Sequence, residues 1–290
     1  MAVAQQPPRE DQILLGENLD LLRGFSAESF QLVYIDPPFN TGRRQERATL
    51  RAVSDAAGER TGFQGRRYRT ELLERSSYRD SFDDYLAFLA PRLEEAHRLL
   101  REDGTLYFHI DYREAHYCKL LLDEVFGREC FLNEIIWAYD YGARAKSRWP
   151  AKHDTILVYV KDPRAYHFDS EAVDREPYMA PGLVTPEKAA RGKLPTDVWW
   201  HTIVPTAGSE KTGYPTQKPE GVLRRIVQAS SRPGDWCLDF FAGSGTLGAV
   251  AARLGRRYVL IDSNPEAVRV MRERLDAIAP GSQPPVAARA

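Results

Sequence analysis

Apolar and polar residues follow two patterns along the chain, one typical of strands and one typical of helices. Short runs of β-branched and aromatic residues, bounded by glycine, proline or acidic residues, are typical of buried strands. Such runs predict strands at 13–16, 32–36, 105–110, 135–139, 155–160, 236–239 and 258–262. Apolar residues three or four positions apart predict helices at 18–22, 82–101, 115–126, 220–230, 247–254 and 265–278. This alternation indicates an α/β fold with a doubly wound sheet.

Residues 41–79 depart from this pattern. They contain ten basic and five acidic residues, and Gly58, Gly62 and Gly65 favour a loop. A basic loop directly after the strand at 32–36 suits contact with phosphate groups. A solvated insertion without a ligand is the alternative interpretation.

Residues 162–213 also lack a clear period. They contain six prolines and the pair Trp199-Trp200, and they are too long for an ordinary loop. We predict either a target-recognition insertion or a packed cap over the sheet. The predicted organisation is therefore one domain in two halves, 11–161 and 214–280, interrupted by this insertion.

Bulk composition narrows the class of protein. The 290 residues are 43% hydrophobic, enough for a substantial core, and the net charge is only −1. Of the 40 basic residues 32 are arginine, which suits phosphate and base contacts, although biased codon usage is the preferred explanation of the excess. The cysteines, Cys118, Cys130 and Cys237, lie far apart, so neither a disulfide framework nor a metal site is predicted. Without a long apolar run or a signal-peptide pattern, we expect a soluble, cytoplasmic protein that does not bind membranes.

The strand at 32–36 ends in an unusual sequence, Asp36-Pro37-Pro38-Phe39-Asn40. Neither proline can donate to a strand ladder, so the strand ends here and Asp36 lies at its carboxyl end. Open α/β sheets bind their ligands at that end. A carboxylate and a backbone carbonyl beside an aromatic ring suit a planar amine. A buried strand that merely ends in prolines is the alternative.

A second candidate site lies near the end of the chain. Gly243, Gly245 and Gly248 fit the pattern G-x-G-x-x-G between a strand and a helix, and Asp262 follows about 20 residues later. This pattern predicts an adenosine-containing cofactor. A nicotinamide or flavin cofactor is the usual interpretation, but only 28 residues follow Asp262, too few for the second half of a dinucleotide fold. S-adenosylmethionine needs one such half, and a parallel sheet could place the strand of Asp239 beside that of Asp36.

Three blocks together carry a family resemblance. They are Asp36-Pro37-Pro38-Phe39, Thr216-Gln217-Lys218-Pro219 and Asp239-Phe240-Phe241-Ala242-Gly243-Ser244-Gly245-Thr246. In this order they resemble the S-adenosylmethionine-dependent DNA amino-methyltransferases of the beta group. The resemblance implies a circularly permuted, mostly parallel Rossmann-like sheet with a proline-rich recognition insertion.

The resemblance also implies roles for individual residues. Catalysis falls to Asp36, Pro37, Pro38 and Phe39. Contact with the DNA substrate is expected from Asn40, Arg43 and Arg44, the last two on the ground of the basic charge of residues 41–79 and not of the resemblance. Cofactor binding falls to Asp239, Phe241, Gly243, Ser244, Gly245, Thr246, Asp262 and Lys218. No metal is implied.

The expected reaction is methyl transfer to N6 of an adenine that is flipped out of double-stranded DNA. Asp36 favours adenine, because cytosine-N4 enzymes of this kind usually carry serine there; N4 of cytosine remains the alternative. A homodimer and a separate restriction enzyme are candidate partners. From other classes, an oxidoreductase that uses the Gly243 loop and a non-catalytic nucleic-acid-binding protein stay open.

Overall fold

The computed structural model describes residues 5–39, 43–54, 60–61, 67–80, 84–142, 145–205 and 208–278. Between 43 and 80 only the backbone is described. These residues contain eleven strands and seven α-helices. The strands are β1 Gln12–Leu15, β2 Phe30–Ile35, β3 Arg43–Ser54, β4 Arg60–Thr61, β5 Arg67–Asp80, β6 Leu100–Ile110, β7 Phe131–Ala138, β8 His153–Val160, β9 Val198–Trp200, β10 Trp236–Asp239 and β11 Arg257–Asp262. The helices are α1 Asn18–Leu22, α2 Tyr85–Leu99, α3 Ala115–Phe126, α4 Pro186–Arg191, α5 Glu220–Ser230, α6 Thr246–Arg253 and α7 Pro265–Asp276.

Eight strands form one sheet in the order β1-β11-β10-β2-β6-β8-β7-β9. All neighbours pair in parallel except β8, which is antiparallel to both β6 and β7. The predicted adjacency of the two distant strands is confirmed, because Cys237 and Leu238 of β10 pair with Leu32 and Val33 of β2. The fold is therefore the expected α/β arrangement with a mostly parallel sheet.

Helices cover both faces of the sheet. On one face α5, α6 and α7 pack in a core with Leu32, Tyr34 and Tyr107. On the other face the ring of Phe126, from α3, lies 5.6 Å from the ring of Tyr159. Burial on both faces explains why the central strands are almost continuously apolar and lack the alternation of a half-exposed strand. None of the helices in the described ranges combines the length and apolar character that crossing a membrane requires.

A second sheet occupies the segment after β2. The chain divides into two compact units, Met1–Pro37 with Leu86–Ala290, and Pro38–Tyr85. In the shorter unit β3 and β5 pair antiparallel from Arg43↔Asp80 to Ser54↔Tyr68, and β4 pairs with β5. The expectation of a loop over 41–79 is therefore wrong for these strands. Gly58, Gly62 and Gly65, on which that expectation rested, lie outside the described residues.

The proline-rich segment 162–213 is partly packed against α5. The backbone N–H of Asp169 donates to the carbonyl of Ala229 at 2.7 Å, and Arg224 forms an ion pair of 2.6 Å with Asp174. These contacts agree with the packed-cap interpretation for this part of the segment. Its role in target recognition, and the domain boundaries at 161/162 and 213/214, stay predictions.

A buried polar contact joins α1 to α2 and to the end of β10. Asn18 donates from Nδ2 to the carbonyl of Phe240 at 2.9 Å and accepts from Arg92 Nε at 2.7 Å. Both side chains are buried, and Arg92 also pairs with Glu17. Sequence pattern favours Asn18 as a helix cap, yet the cap position belongs to Glu17. The amide is used in tertiary contacts instead.

We expect Asn18→Ala to lower the free energy of unfolding by about 2–3 kcal/mol, because it leaves a buried guanidinium N–H and a carbonyl without partners. Urea denaturation of the full chain measures this. Arg23→Ala is the matched control, since Arg23 pairs with Asp20 only at 3.8 Å in an exposed position; its effect should stay within ~0.5 kcal/mol. Equal losses in both variants would contradict the structural importance of the Asn18 contact.

Candidate functional site

The candidate site lies at the carboxyl edge of the parallel strands. Asp36 follows the last residue of β2, while Asp239 ends β10 and Asp262 ends β11. Within the main sheet, β2 is followed in sequence by β6, which lies on one side, and β10 is followed by β11, which lies on the other side. The strand order therefore reverses between β2 and β10, and such a switch point opens a crevice where α/β sheets bind ligands.

Asp36 and Lys218 form an ion pair at this edge. Lys218 Nζ lies 2.6 Å from Asp36 Oδ2, and both side chains are largely buried. The other oxygen, Asp36 Oδ1, is buried and accepts no hydrogen bond from the described part of the chain. A buried carboxylate oxygen without a donor is costly. It is therefore the atom at which a ligand N–H would gain most.

The Gly243 loop connects β10 to α6 in the manner that the sequence pattern predicts. Gly243 and Gly245 have φ values of 51° and 70°, a region that other residues rarely adopt. A Cβ on Gly245 would lie 2.7 Å from Met271 Cγ, and one on Gly248 would lie 2.5 Å from Leu260 Cδ1. The loop therefore requires glycine for its backbone conformation and for close packing of α6 and α7 against the sheet.

Two buried carboxylates flank this loop. Asp262 accepts hydrogen bonds from the backbone N–H groups of Gly243 and Asn264, each at 2.8 Å, and Asp239 accepts from that of Phe241 at 3.0 Å. Burial raises the pKa of Asp239 well above its ordinary value, and the neighbouring Asp36 and Asp262 raise it further. Burial also raises the pKa of Asp262. Both groups can accept hydrogen bonds from a ligand such as a ribose or an amine.

Hydrogen bonds tie the Lys218 segment to the Gly243 loop. Thr246 Oγ1 donates to the carbonyl of Lys218 at 3.1 Å and accepts from Arg274 at 3.0 Å. Arg274 also donates to the carbonyl of Ser244 at 3.1 Å. Thr216 has a φ of 57°, unusual for a β-branched residue. The second and third sequence blocks thus meet in the structure, as their joint resemblance implies.

A buried polar chain beneath Asp36 is absent from the sequence-based predictions. The Tyr34 hydroxyl is 2.8 Å from His109 Nδ1, and His109 Nε2 is 3.2 Å from Asp154 Oδ2. Because a carboxylate only accepts, Nε2 of His109 donates to Asp154. The pKa of Asp154 is lowered, because the hydrogen bonds from His109 and Tyr139 outweigh the opposing effect of burial. A histidine within an apolar strand sequence was the available signal.

Tyr214 is a second residue that the predictions omit. It precedes the Thr216 block by two positions, and its ring edge would lie 3.4 Å from a Cβ on Gly243. Its hydroxyl accepts from Asn264 Nδ2 at 3.4 Å. Tyr214 therefore covers the Gly243 loop beside Asp262. An aromatic residue near a cofactor motif was the only sequence signal.

The structure brings together Asp36, Lys218 and the predicted cofactor residues, but it describes the predicted substrate residues less fully. Pro37 belongs to the larger unit with Asp36. Pro38 and Phe39 belong to the shorter unit, where Tyr85 Oη donates to the carbonyl of Pro38 at 2.7 Å. Arg43 and Arg44 belong to β3, of which only the backbone is described, and Asn40 lies outside the described residues. The roles of all predicted site residues stay predictions.

Comparison with known proteins gives a consistent family assignment. A family model described as DNA methylase matches residues 30–273. The chain is 32% identical to the DNA adenine methyltransferase YhdJ of Escherichia coli K12, over 91% of this chain and 82% of that protein. It is 30% identical to the type II methyltransferase M.HpaI of Haemophilus parainfluenzae, over 92% of this chain and 75% of that protein.

Solved structures share the fold at lower identity. The cytosine-N4-specific PvuII DNA methyltransferase superposes with a TM-score of 0.64 at 17% identity, over 94% of this chain and 89% of that one. The complex of M1.HpyAVI with S-adenosylmethionine superposes with a TM-score of 0.58 at 19% identity, over 91% of this chain and 98% of that one. These similarities confirm the Rossmann-like methyltransferase fold.

We expect Asp239→Asn to make the folded state more stable than the wild type at pH 8. The carboxyl has a higher pKa when folded than when unfolded, so its contribution is fully present below its ordinary pKa of 3.8 and is lost as pH rises through the folded value. Urea denaturation across pH should therefore show the difference shrink toward acid pH. A difference independent of pH would contradict the assigned burial effect.

Proposed function

The chain belongs to the family of DNA amino-methyltransferases that modify N6 of adenine or N4 of cytosine, and on that premise we propose that it methylates N6 of adenine in duplex DNA. S-adenosylmethionine is its methyl donor. The observation that carries the proposal is that Asp36 Oδ1, at the switch point beside the Gly243 loop, is buried and accepts no hydrogen bond from any described residue. Asp36 Oδ1, which can accept a hydrogen bond from an amine, thus lies next to the Gly243 loop, the candidate cofactor-binding loop.

The cofactor half of the proposal rests on the Gly243 loop. S-adenosylmethionine supplies a methyl group activated by a positively charged sulfur. Asp262 is assigned to the ribose hydroxyls, and the positive φ values of Gly243 and Gly245 allow the tight turn that such a cofactor loop needs. Asp239, Phe241, Ser244, Thr246 and Lys218 are assigned to the remaining contacts. The contact of the Asp262 carboxylate with the backbone N–H of Gly243, within the glycine loop, supports these assignments.

The substrate half rests on Asp36 and the stiff turn that follows it. The lone pair of an exocyclic amine is delocalised into its ring, which makes the nitrogen a weak nucleophile. Hydrogen bonds from the amine to Asp36 and to the Pro37 carbonyl would localise that lone pair and hold the nitrogen in line with the methyl group. The proton that the amine gives up passes to Asp36 or to water. The base must leave the duplex to reach this edge, and Phe39 is assigned to stack on it.

The choice of adenine has two supports. Asp36, in place of serine, is typical of adenine enzymes in the resemblance that the sequence carries. The relative from Escherichia coli, which is named an adenine methyltransferase, is 32% identical over nearly the whole chain. N4 of cytosine is the second candidate, because the PvuII enzyme with the same fold is cytosine-N4-specific.

Partners follow from the same assignment. Double-stranded DNA is the substrate, and Arg43, Arg44 and Asn40 are the proposed contacts in the shorter unit. The relative M.HpaI is named a type II methyltransferase, which supports a restriction enzyme as a separate partner. We also propose a homodimer and, because the substrate is DNA, a cytoplasmic location.

Transfer of labelled methyl from S-adenosylmethionine to unmethylated genomic DNA, followed by nucleoside analysis, tests the proposal. We expect the label in N6-methyladenine. Label in N4-methylcytosine would keep the mechanism and replace the base assignment. Absence of label from DNA, with the cofactor bound, would overturn DNA as the substrate.

Asp36→Asn and Asp262→Ala should separate catalysis from cofactor binding. Asp36→Asn keeps the shape of the side chain but removes its charge, so we expect a loss of turnover of at least 100-fold with an unchanged dissociation constant for S-adenosylmethionine. Asp262→Ala removes the carboxylate beside Gly243, so we expect weaker cofactor binding by about 10-fold or more. Calorimetry and the methylation assay measure the two effects. Full activity of Asp36→Asn would exclude the assigned role of its charge.

A further inference from the structure

The loop that joins β7 to β8, residues 139–152, leaves the sheet at the same edge as Asp36. Strands β6 and β7 both run antiparallel to β8, so their carboxyl ends share one edge, and β2 runs parallel to β6. At that edge Ile110 of β6 pairs with Thr155 of β8, and the rings of Tyr112 and His153 lie 5.8 Å apart. The β7–β8 loop therefore begins and ends at the same edge of the sheet as the candidate site, three and two strands away from β2.

Charge in the β7–β8 loop is mostly positive. It contains four basic residues, Arg144, Lys146, Arg148 and Lys152, and one acidic residue, Asp140, which gives a net charge of +3. Lys152 is held within the loop, 3.5 Å from Asp140 and 3.1 Å from the carbonyl of Gly142. Lys146 and Arg148 are exposed and form no ion pair with any residue in the described ranges. Their charges are thus available to a polyanion.

Trp149 projects from the same loop into solvent. Its side chain is 94% exposed, although an indole ring gains considerable free energy from burial. Pro150 restricts the backbone of Trp149 to extended conformations, so less entropy is lost when the ring binds a partner. Tyr141, 68% exposed, adds a second aromatic ring. Flat rings beside unpaired cations are the combination that binds nucleobases and phosphates together.

We propose that the β7–β8 loop is a DNA-binding surface, in which Lys146 and Arg148 contact phosphates and Trp149 stacks on bases unstacked by extrusion of the target. This inference rests on the proposed function for the identity of the polyanion. It assigns DNA contact to a segment distinct from both the arginine-rich unit and the proline-rich segment. The location at the catalytic edge provides the stacking surface where the duplex is opened.

Fluorescence anisotropy with labelled 30-base-pair duplexes, in the presence of S-adenosylhomocysteine, tests the surface. Wild type, Trp149→Ala and Lys146→Gln/Arg148→Gln are compared on a continuous duplex and on one with a short central bubble. We expect Trp149→Ala to bind the bubble about 10-fold or more weakly, with a smaller effect on the continuous duplex. Lys146→Gln/Arg148→Gln should lower the slope of log Kd against log salt by about 2 on both.

Two control variants make the same kinds of change at exposed positions outside the loop. Tyr117→Ala removes an aromatic ring from the exposed side of α3, and Arg9→Gln/Arg272→Gln removes two exposed charges. Both should bind as the wild type does. Wild-type affinity of Trp149→Ala for the bubble, or an unchanged salt slope of Lys146→Gln/Arg148→Gln, would overturn the inference.

A methylation assay run in parallel separates this inference from the proposed function. Methyl transfer to DNA by the wild type, with loop variants that bind DNA normally, refutes the loop surface alone. Weaker DNA binding by the loop variants, with no methyl transfer by the wild type, supports the surface and refutes the proposed function. Unchanged binding of S-adenosylmethionine in each variant confirms that its fold is intact.

Discussion

Parallel pairing of β2 with β10 is the constraint on which the rest of the site depends. Two segments from opposite parts of the chain end at one edge only because Leu32 and Val33 pair with Cys237 and Leu238. Without this register, Asp36 and the Gly243 loop would be separate features with no common chemistry. Helices on both faces bury the paired strands, so the register is fixed by packing as well as by hydrogen bonds.

Bringing three strand ends together also concentrates acidic groups in a buried place. Burial raises the free energy of the charged form of Asp239, and the neighbouring Asp36 and Asp262 add to that cost, so the pKa of Asp239 is raised. Lys218 offsets part of it through its ion pair with Asp36. Backbone N–H donors to Asp239 and Asp262 offset more. Stability is therefore lower at this edge than an apolar sheet would allow, as is common where binding groups must be held ready.

Much of the fold and the site could be predicted because their signals are local. Helices α3 and α5 and strand β10 have the predicted bounds, since apolar spacing and glycine or proline boundaries specify them. The antiparallel pair of β3 and β5 was missed because a charged, arginine-rich strand lacks an apolar face. The direction of β8 and the pairing of Asn18 with Arg92 depend on tertiary contacts, which no local pattern encodes. For the same reason Tyr34, His109 and Asp154 were not recognised as a connected chain.

The contact between Thr246 and the Lys218 carbonyl links the two halves of the site mechanically. Lys218 touches Asp36 through its side chain and the Gly243 loop through its backbone. A ligand that shifts this one residue changes the surroundings of both carboxylate and loop. Thermodynamic linkage then requires the effect to be reciprocal. If the bound cofactor changes the affinity for the target base by some factor, the bound base changes the affinity for the cofactor by the same factor. Cooperativity between two ligands can thus arise within a single subunit, because Lys218 contacts Asp36 through its side chain and Thr246 through its backbone carbonyl.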